Sequence, residues 1–452
     1  MSDRDQLYLY STEKISKAIL ILAVPSVLSA LINLIYNLIN SIYVGMLDNT
    51  PMIAAITVAV PLITTIYAFG SALGVGASSF ISRQLGAGEL EDSKETVKTA
   101  ITTGILISFF IIIFGFFGLK PILSLLTNDP DVLEYAYTYA FIIFMSAIAI
   151  ILKQIIINLL KTEADILFPM YVLLAGVIIN IIIAPFLMFD WGMNLGISGA
   201  ALATVIADFL SLIVLLWRLC SHTLYVRWKF CSFGIKLNSL KEIVSVGSAV
   251  FVRNFLPSFS TAIFASTAGL FGTTFVAGVG IGKRASTFAL FAIQGMSNGF
   301  LPFAAYNYGA KNRERLRSSI LMLIKALTIY AIFMSVMFYY FAIPFCSLYS
   351  SDPQVVYYGS FMLRFYIISL INQGIYNVLL VVLQAFGRNR DSMMVSLARG
   401  AFFYIPIVYF LPRIYGEIGI YLAQPIADWL TLFTILFIAR NIIKDLLIEK
   451  KR

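Results

Sequence analysis

Long apolar stretches, each closed by a short polar or charged segment, follow one another along nearly the whole chain of 452 residues. A helix needs roughly 20 mostly apolar residues to cross a bilayer. About twelve stretches reach that length, near 15–46, 53–83, 96–119, 133–160, 169–189, 197–219, 241–271, 276–306, 318–342, 356–386, 392–411 and 417–440. The pattern predicts an all-α integral membrane protein. The polar opening, Met1 to Lys17, runs into an apolar stretch too long for a signal-peptide core, so the first span is expected to be retained.

The pattern also repeats at a spacing of 223 residues. Gly86-Ala87 returns as Gly309-Ala310, Pro121 as Pro344, Asp129-Pro130 as Asp352-Pro353, Met170 as Met393, and Gly196-Ile197 as Gly419-Ile420. A three-residue slip is then expected, because Ile206-Ala207-Asp208 matches Ile426-Ala427-Asp428. Solenoid repeats run to only about 20–50 residues, so this period means a duplicated domain. The expected division is a six-helix lobe at 1–220, a linker at 221–240 and a second six-helix lobe with a tail at 241–452. Six spans per half is an even number, so the halves run the same way across the bilayer about a pseudo-two-fold along its normal.

Composition adds to this reading without changing it. With 60% hydrophobic and 12% charged residues, the chain is far too apolar for a soluble protein of its length. Basic residues gather in the loops after even-numbered helices, among them Arg83, Lys94, Lys161, Arg227, Lys229, Arg313, Arg315 and Arg388. The positive-inside rule puts those loops and both termini in the cytoplasm, and it accounts for the net charge of +9 without a nucleic acid partner. The expected location is the cytoplasmic membrane. Of three cysteines, Cys220 and Cys231 flank His222, but the spacing fits no zinc pattern and no metal or other cofactor is expected.

No loop is long enough to fold into a nucleotide-binding domain, which removes ATP-driven pumps. The run Ala277-Gly278-Val279-Gly280-Ile281-Gly282-Lys283 lacks the first glycine and final hydroxyl of a phosphate loop, so its glycines read as close helix packing. No filter-like sequence suggests a channel. Duplicated bundles favour a secondary transporter with one cavity between the halves, lined by helices one, two, seven and eight.

Several segments resemble the multidrug and toxic-compound extrusion (MATE) family, in its bacterial multidrug-export branch. They are Gly74 to Gly88, its echo Gly295 to Asn312, Gln384-Ala385-Phe386-Gly387, Ser396-Leu397-Ala398-Arg399 and Gln424-Pro425-Ile426-Ala427-Asp428. The resemblance covers nearly the whole chain. It implies two six-helix lobes and export of amphipathic organic compounds or drugs in exchange for protons or sodium, and no enzyme activity. The glycine, acidic and arginine motif of the major facilitator class is missing at 84–95. The chain also departs from the family it resembles. Where that family reads Tyr-Asn-x-x-Asp in the first helix, this chain has Tyr36-Asn37-Leu38-Ile39-Asn40, and where it reads Asn-x-x-x-Asp-Pro, this chain has Asn180 followed by Ala184-Pro185.

Neither an amide nor alanine can carry a titrating proton, so the coupling ion needs another site. Asp208 and Asp428 each lie about 10 residues, roughly 15 Å, into their helices. They occupy matching positions in the two halves. A buried carboxyl is disfavoured in its charged form and a nearby cation favours it, and such opposing effects suit a proton switch. Asp428 is the stronger candidate, with Arg399 one helix earlier as its partner, and Asp208 the weaker, while permanent structural pairing is the plainer alternative for both. Lys153 is the only basic residue well inside a span of the first half.

Candidate cavity residues are Asn33, Asn37 and Asn40 on one helical face, Gln154 and Asn158, Asn180, Gln294 and Asn298, and Asn377. Helix-to-helix hydrogen bonding is the plainer reading of these amides. Tyr36, Phe288 and Phe291 are candidates for stacking on a ligand. The partners implied are a small organic substrate, a coupling proton or sodium ion, and the lipid bilayer. A flippase for lipid-linked or anionic precursors stays open, because the second half is rich in buried cations, as does a membrane scaffold that transports nothing.

Overall fold

A computed structural model describes residues 8–47, 49–220 and 232–448. Most of the linker expected at 221–240, the cluster of Cys220, His222 and Cys231, and the last basic residues therefore lie outside the described residues in whole or in part. Among the described residues the chain is helical with no strand. Eleven helices are long and apolar enough to cross a membrane, and one bent pair makes a twelfth span, as the apolar stretches predict.

In chain order these are α1 (Ile15–Gly45), α2 (Thr50–Ala87), α3 (Leu90–Phe117), a short α4 (Leu119–Leu126), and the bent pair α5 (Pro130–Met145) and α6 (Ala147–Thr162). Then come α7 (Leu167–Met188), α8 (Gly196–Leu219), α9 (Leu237–Ala268), α10 (Thr273–Gly309), α11 (Arg313–Ser347) and α12 (Pro353–Ala385). The last span but one is built from α13 (Asn389–Leu397), a π turn at Ala398–Phe403 and α14 (Tyr404–Tyr415), and the last is α15 (Glu417–Ile448). The chain divides into two compact units. The first runs through Thr12 and resumes over Leu28–Phe255, and the second comprises Glu13–Val27 and Leu256–Arg452.

Repeated sequence signals give repeated local structure. Asp129-Pro130 and Asp352-Pro353 both start helices: the aspartate side chain accepts from the backbone N–H two residues on, at 3.0 and 2.8 Å, and proline takes the first position, where no N–H is needed. The glycine run in α10 packs as read, since a Cβ on Gly278 would stand 2.8 Å from the Val355 carbonyl oxygen and one on Gly282 2.5 Å from that of Gly359. In the first unit, Gly74 lets α2 lie against α6, where a Cβ would stand 2.8 Å from the Gln154 carbonyl oxygen.

Two features differ from the sequence reading. The span at 133–160 is broken by 52° at Ser146, whose hydroxyl donates to the Ile143 carbonyl at 2.8 Å and competes with the helical bond there. The repeat register also slips elsewhere than expected. Gly196 and Gly416 both take positive φ, at 53° and 61°, Gly196 beginning and Gly416 immediately preceding the last span of its half of the duplication. Gly199 and Gly419 both lie against the end of the preceding helix, a Cβ meeting Leu187 in one and Leu411 in the other. The true partner of Gly196 is thus Gly416, and the slip falls in the preceding loop, where a turn tolerates length change and a packed helix does not.

The positions of Leu187 and Leu411 show one further residue gained before that loop. Met170 and Met393 are 223 apart, whereas Leu187 and Leu411 are 224 apart. The π turn at 398–403 is where one extra residue fits inside a helix. At the spacing of 223 Gly176 matches Arg399, and both lie toward the last span of their half: a Cβ on Gly176 would stand 2.6 Å from Ser211 Oγ, and Arg399 donates to Asp428. The extra residue therefore falls after Arg399, within the rest of the π turn.

Candidate functional site: a charged cavity in the first unit

The first unit encloses a cavity of about 480 Å³ between α1, α2, the α5/α6 pair, α7 and α8. Its size lies in the range of small-molecule sites. Its lining is mixed, with Ile56, Val60, Ile63 and Leu173 alongside Thr64, Ser41 and Gln154. Within it the Lys153 ammonium, from α6, donates to Asp208 Oδ1, from α8, and both side chains are buried, at 8% and 6% exposure. Asp208 Oδ2 is buried and receives no hydrogen bond of good geometry, although the Tyr67 hydroxyl is close enough to interact with the carboxylate. Tyr36 meets Thr204 Oγ1 at 2.9 Å and also hydrogen-bonds Asn40. Tyr139 completes the aromatic contribution.

Three of the amides singled out from the sequence, Asn33, Asn40 and Gln154, line this cavity. Asn37 lies on α1 between two of them, but its side chain is outside the described residues. Asn158 does not line it: its amide donates to the Gln154 carbonyl at 2.8 Å and packs by Gly74. Asn180 is fully buried away from the cavity, with neither amide atom hydrogen-bonded. Ala184 packs in an apolar cluster with Val44 and Leu187. In the second unit Asn377 donates to Gln373 on its own helix, and Gln294 and Asn298 are half-buried along α10.

Asp428 has a different setting from its sequence mate. Arg399 Nε donates to Oδ1 at 2.8 Å, Gln424 Nε2 donates to the same oxygen at 3.1 Å, and the Ser369 hydroxyl donates to Oδ2. The Arg399 guanidinium also lies over the Tyr376 ring, 4.8 Å from its centre. Both oxygens are satisfied and the side chain is 2% exposed. The repeat explains the contrast. Tyr376 occupies the position of Lys153, and Ser369 that of Ser146, whose hydroxyl is spent on the helix break instead. Sequence reasoning flagged Lys153 as an isolated basic residue but did not connect it to Asp208. Placing it opposite Tyr376 would have shown that the two aspartates take their cations from different helices.

The MatE family model matches residues 25–186 and again 249–410, one match to each half of the duplication. The chain belongs to the MatE family. It is therefore a multipass membrane transporter and not an enzyme. Among similar proteins are the multidrug export protein MepA of Staphylococcus haemolyticus, 28% identical over 99% of this chain and 98% of that protein, and MepA of Staphylococcus aureus, 27% identical over 94% and 93%. Among solved structures, an outward-facing multidrug resistance MATE transporter matches with a TM-score of 0.92 at 21% identity, over 99% of both chains. A MOP superfamily transporter from Pyrococcus furiosus, described as having a binding pocket of reverse polarity that suggests a different function, matches at 0.90 and 22%, again over 99% of both. At such identities these two structures bear on the fold alone, the two-lobed fold of MatE transporters.

Proposed function

We propose that this MatE-family protein is a secondary active exporter of amphipathic organic compounds in the cytoplasmic membrane, with both termini in the cytoplasm, driven by a proton or sodium gradient that acts through Asp208. The similarity to proteins named for multidrug export supports the substrate class, and the basic loops support the orientation. The observation that carries the site is the buried Asp208 carboxylate, held by one ammonium at the edge of a cavity with its second oxygen lacking a well-formed hydrogen bond. An acid inside a membrane span marks an ion or substrate path when it has an exchangeable partner and room beside it. Asp428 already receives three donors, which favours a structural anchor and supports ranking Asp208 first, the reverse of the order expected from sequence.

The test is transport into inverted membrane vesicles under an imposed pH or sodium gradient, paired with dye efflux from intact cells. Asp208→Asn should abolish gradient-driven accumulation while Asp428→Asn, if it folds, retains it. Full transport by Asp208→Asn would remove the assignment. A second reading, a flippase for anionic precursors, rests on Lys283. Its ammonium stands 4.5 Å from the Phe264 ring centre and 5.7 Å from that of Tyr404, with no carboxylate in salt-bridge range among the described residues. Loss of transport in Lys283→Met with anionic lipid-linked substrates, but not with organic cations, would favour it.

A further inference from the structure

The first-unit cavity contains two charged side chains, Lys153 and Asp208, and three further titratable groups, Tyr36, Tyr67 and Tyr139. The pair is neutral as a whole, so the cavity accepts a cationic ligand only if a positive charge leaves. Asp208 sits on a helix and has little reach. Lys153 has a flexible four-carbon stem and a single ionic partner, and the other polar side chains of the lining are uncharged and cannot replace a carboxylate as its counter-ion. An ammonium parted from its carboxylate in a low-dielectric site is strongly disfavoured relative to the neutral amine.

We propose that Lys153 carries the coupling proton: an organic cation that takes the Asp208 carboxylate displaces the Lys153 ammonium, which then gives up its proton. This deepens the export reading above and rests on it. In the step, one N–H bond of the ammonium breaks, its electron pair stays on nitrogen, and the proton leaves to water. The positive charge of the ligand replaces the one lost, so the net charge of the cavity is unchanged. When the ligand departs on the other side of the membrane, Lys153 takes up a proton there and closes on Asp208 again. One cation moves outward for each proton moved inward. The tyrosine rings around the carboxylate offer faces to the arriving cation.

The second unit shows why this needs a lysine. There the same buried aspartate is paired with Arg399, which does not lose its proton in proteins, and the pair is fixed by Ser369, Gln424 and the Tyr376 ring. Arg399 stands where the first half has Gly176, so the duplicated domain has one releasable pair and one locked pair. Gly176 lines the first-unit cavity and brings no cation to Asp208.

The proposal is tested on the purified protein with tetraphenylphosphonium, a permanent cation with no proton of its own. In weakly buffered detergent solution with a pH indicator, binding should release about one proton per cation, and affinity should rise about tenfold per pH unit, as linkage requires for one-for-one exchange. Lys153→Arg should keep the ion pair and any residual binding, with no proton release. Asp208→Asn should lose saturable binding. Binding by the parent without proton release, a pH-independent affinity, or parental release from Lys153→Arg would each overturn the role of Lys153. The parent's pH profile decides the matter even if Lys153→Arg does not fold. Absence of saturable binding by the parent would overturn the export reading, and this inference with it.

Discussion

Removing the cation from each aspartate should cost the two units differently. Lys153→Met leaves the Asp208 carboxylate buried with no counter-ion and with Tyr67 as its nearest polar neighbour. Breaking a buried ion pair from one side costs about 3–5 kcal/mol. Arg399→Met starts from the same penalty, but Ser369 and Gln424 still donate to Asp428. Hydrogen bonds to a charged group contribute about 1.5–3 kcal/mol each, so the two that remain should offset roughly 3 kcal/mol. Lys153→Met is therefore expected to be the more destabilising by about 2 kcal/mol or more, once the weaker help from Tyr67 is allowed for. The double variant Lys153→Met with Asp208→Asn removes both charges and should recover most of the loss, giving a coupling energy of about 2–3 kcal/mol in the double-mutant cycle. Equilibrium unfolding in mixed detergent micelles, followed by circular dichroism, measures all four proteins on one scale. The reasoning fails if Arg399→Met is the less stable of the two singles, or if the double variant is no more stable than Lys153→Met.

Gly74→Val should sharply reduce the yield of folded protein, read by size exclusion in detergent, because branched atoms would enter the Gln154 backbone and part α2 from α6. Deletion of Phe402, an exposed residue of the π turn, should convert the turn to ordinary α-helix without rotating the residues beyond it, so helical content and Tm should suffer less than from deletion of Ile178, which lies in an unbulged helix. Asn40→Ala should alter which compounds are exported while leaving folded protein in the membrane, since Asn40 lines the cavity and bonds Tyr36; identical export of every compound in a panel would return it to helix packing. Outside the spans, Glu13 accepts from the Lys17 ammonium at 3.0 Å, and that bond lowers its pKa below the usual 4.5. Its contribution to helix α1 is thus present above about pH 4.5 and lost as pH falls through the lower folded value, a titration that carboxyl carbon chemical shifts can follow and that Lys17→Met should move part of the way back, the Lys14 N–H still donating to the same carboxylate.

The fold was legible because its signals are local and repeated. Twelve apolar stretches, the paired Asp-Pro starts and the close-packing glycines are each read from a few neighbouring residues, and the Asp-Pro starts recur in the second half with the same structural outcome. The break at Ser146 was not legible, because the same serine in the second half, Ser369, sits in an unbroken helix. What separates them is the hydroxyl's partner: a carbonyl three residues back for Ser146, the Asp428 carboxylate for Ser369. That choice depends on a residue 59 positions away in sequence and is invisible to any local pattern.

The site was legible in its residues but not in its pairing. Asp208, Lys153, Asn33, Asn40 and Gln154 all stood out as polar groups within apolar spans, and the structure brings all five to one cavity. The ranking of the aspartates followed from a visible neighbour, Arg399, and it is the abundance of such neighbours that argues against Asp428. A carboxylate with three donors has nothing to gain by admitting a ligand or a proton, since either must first replace bonds already made. One held by a single flexible ammonium beside open space has only that one bond to exchange. Duplication supplied two equivalent buried acids, and an arginine in place of a glycine, Arg399 for Gly176, distinguishes their settings. In a protein built from two copies of one bundle, the residue most informative about mechanism is the one that breaks the repeat.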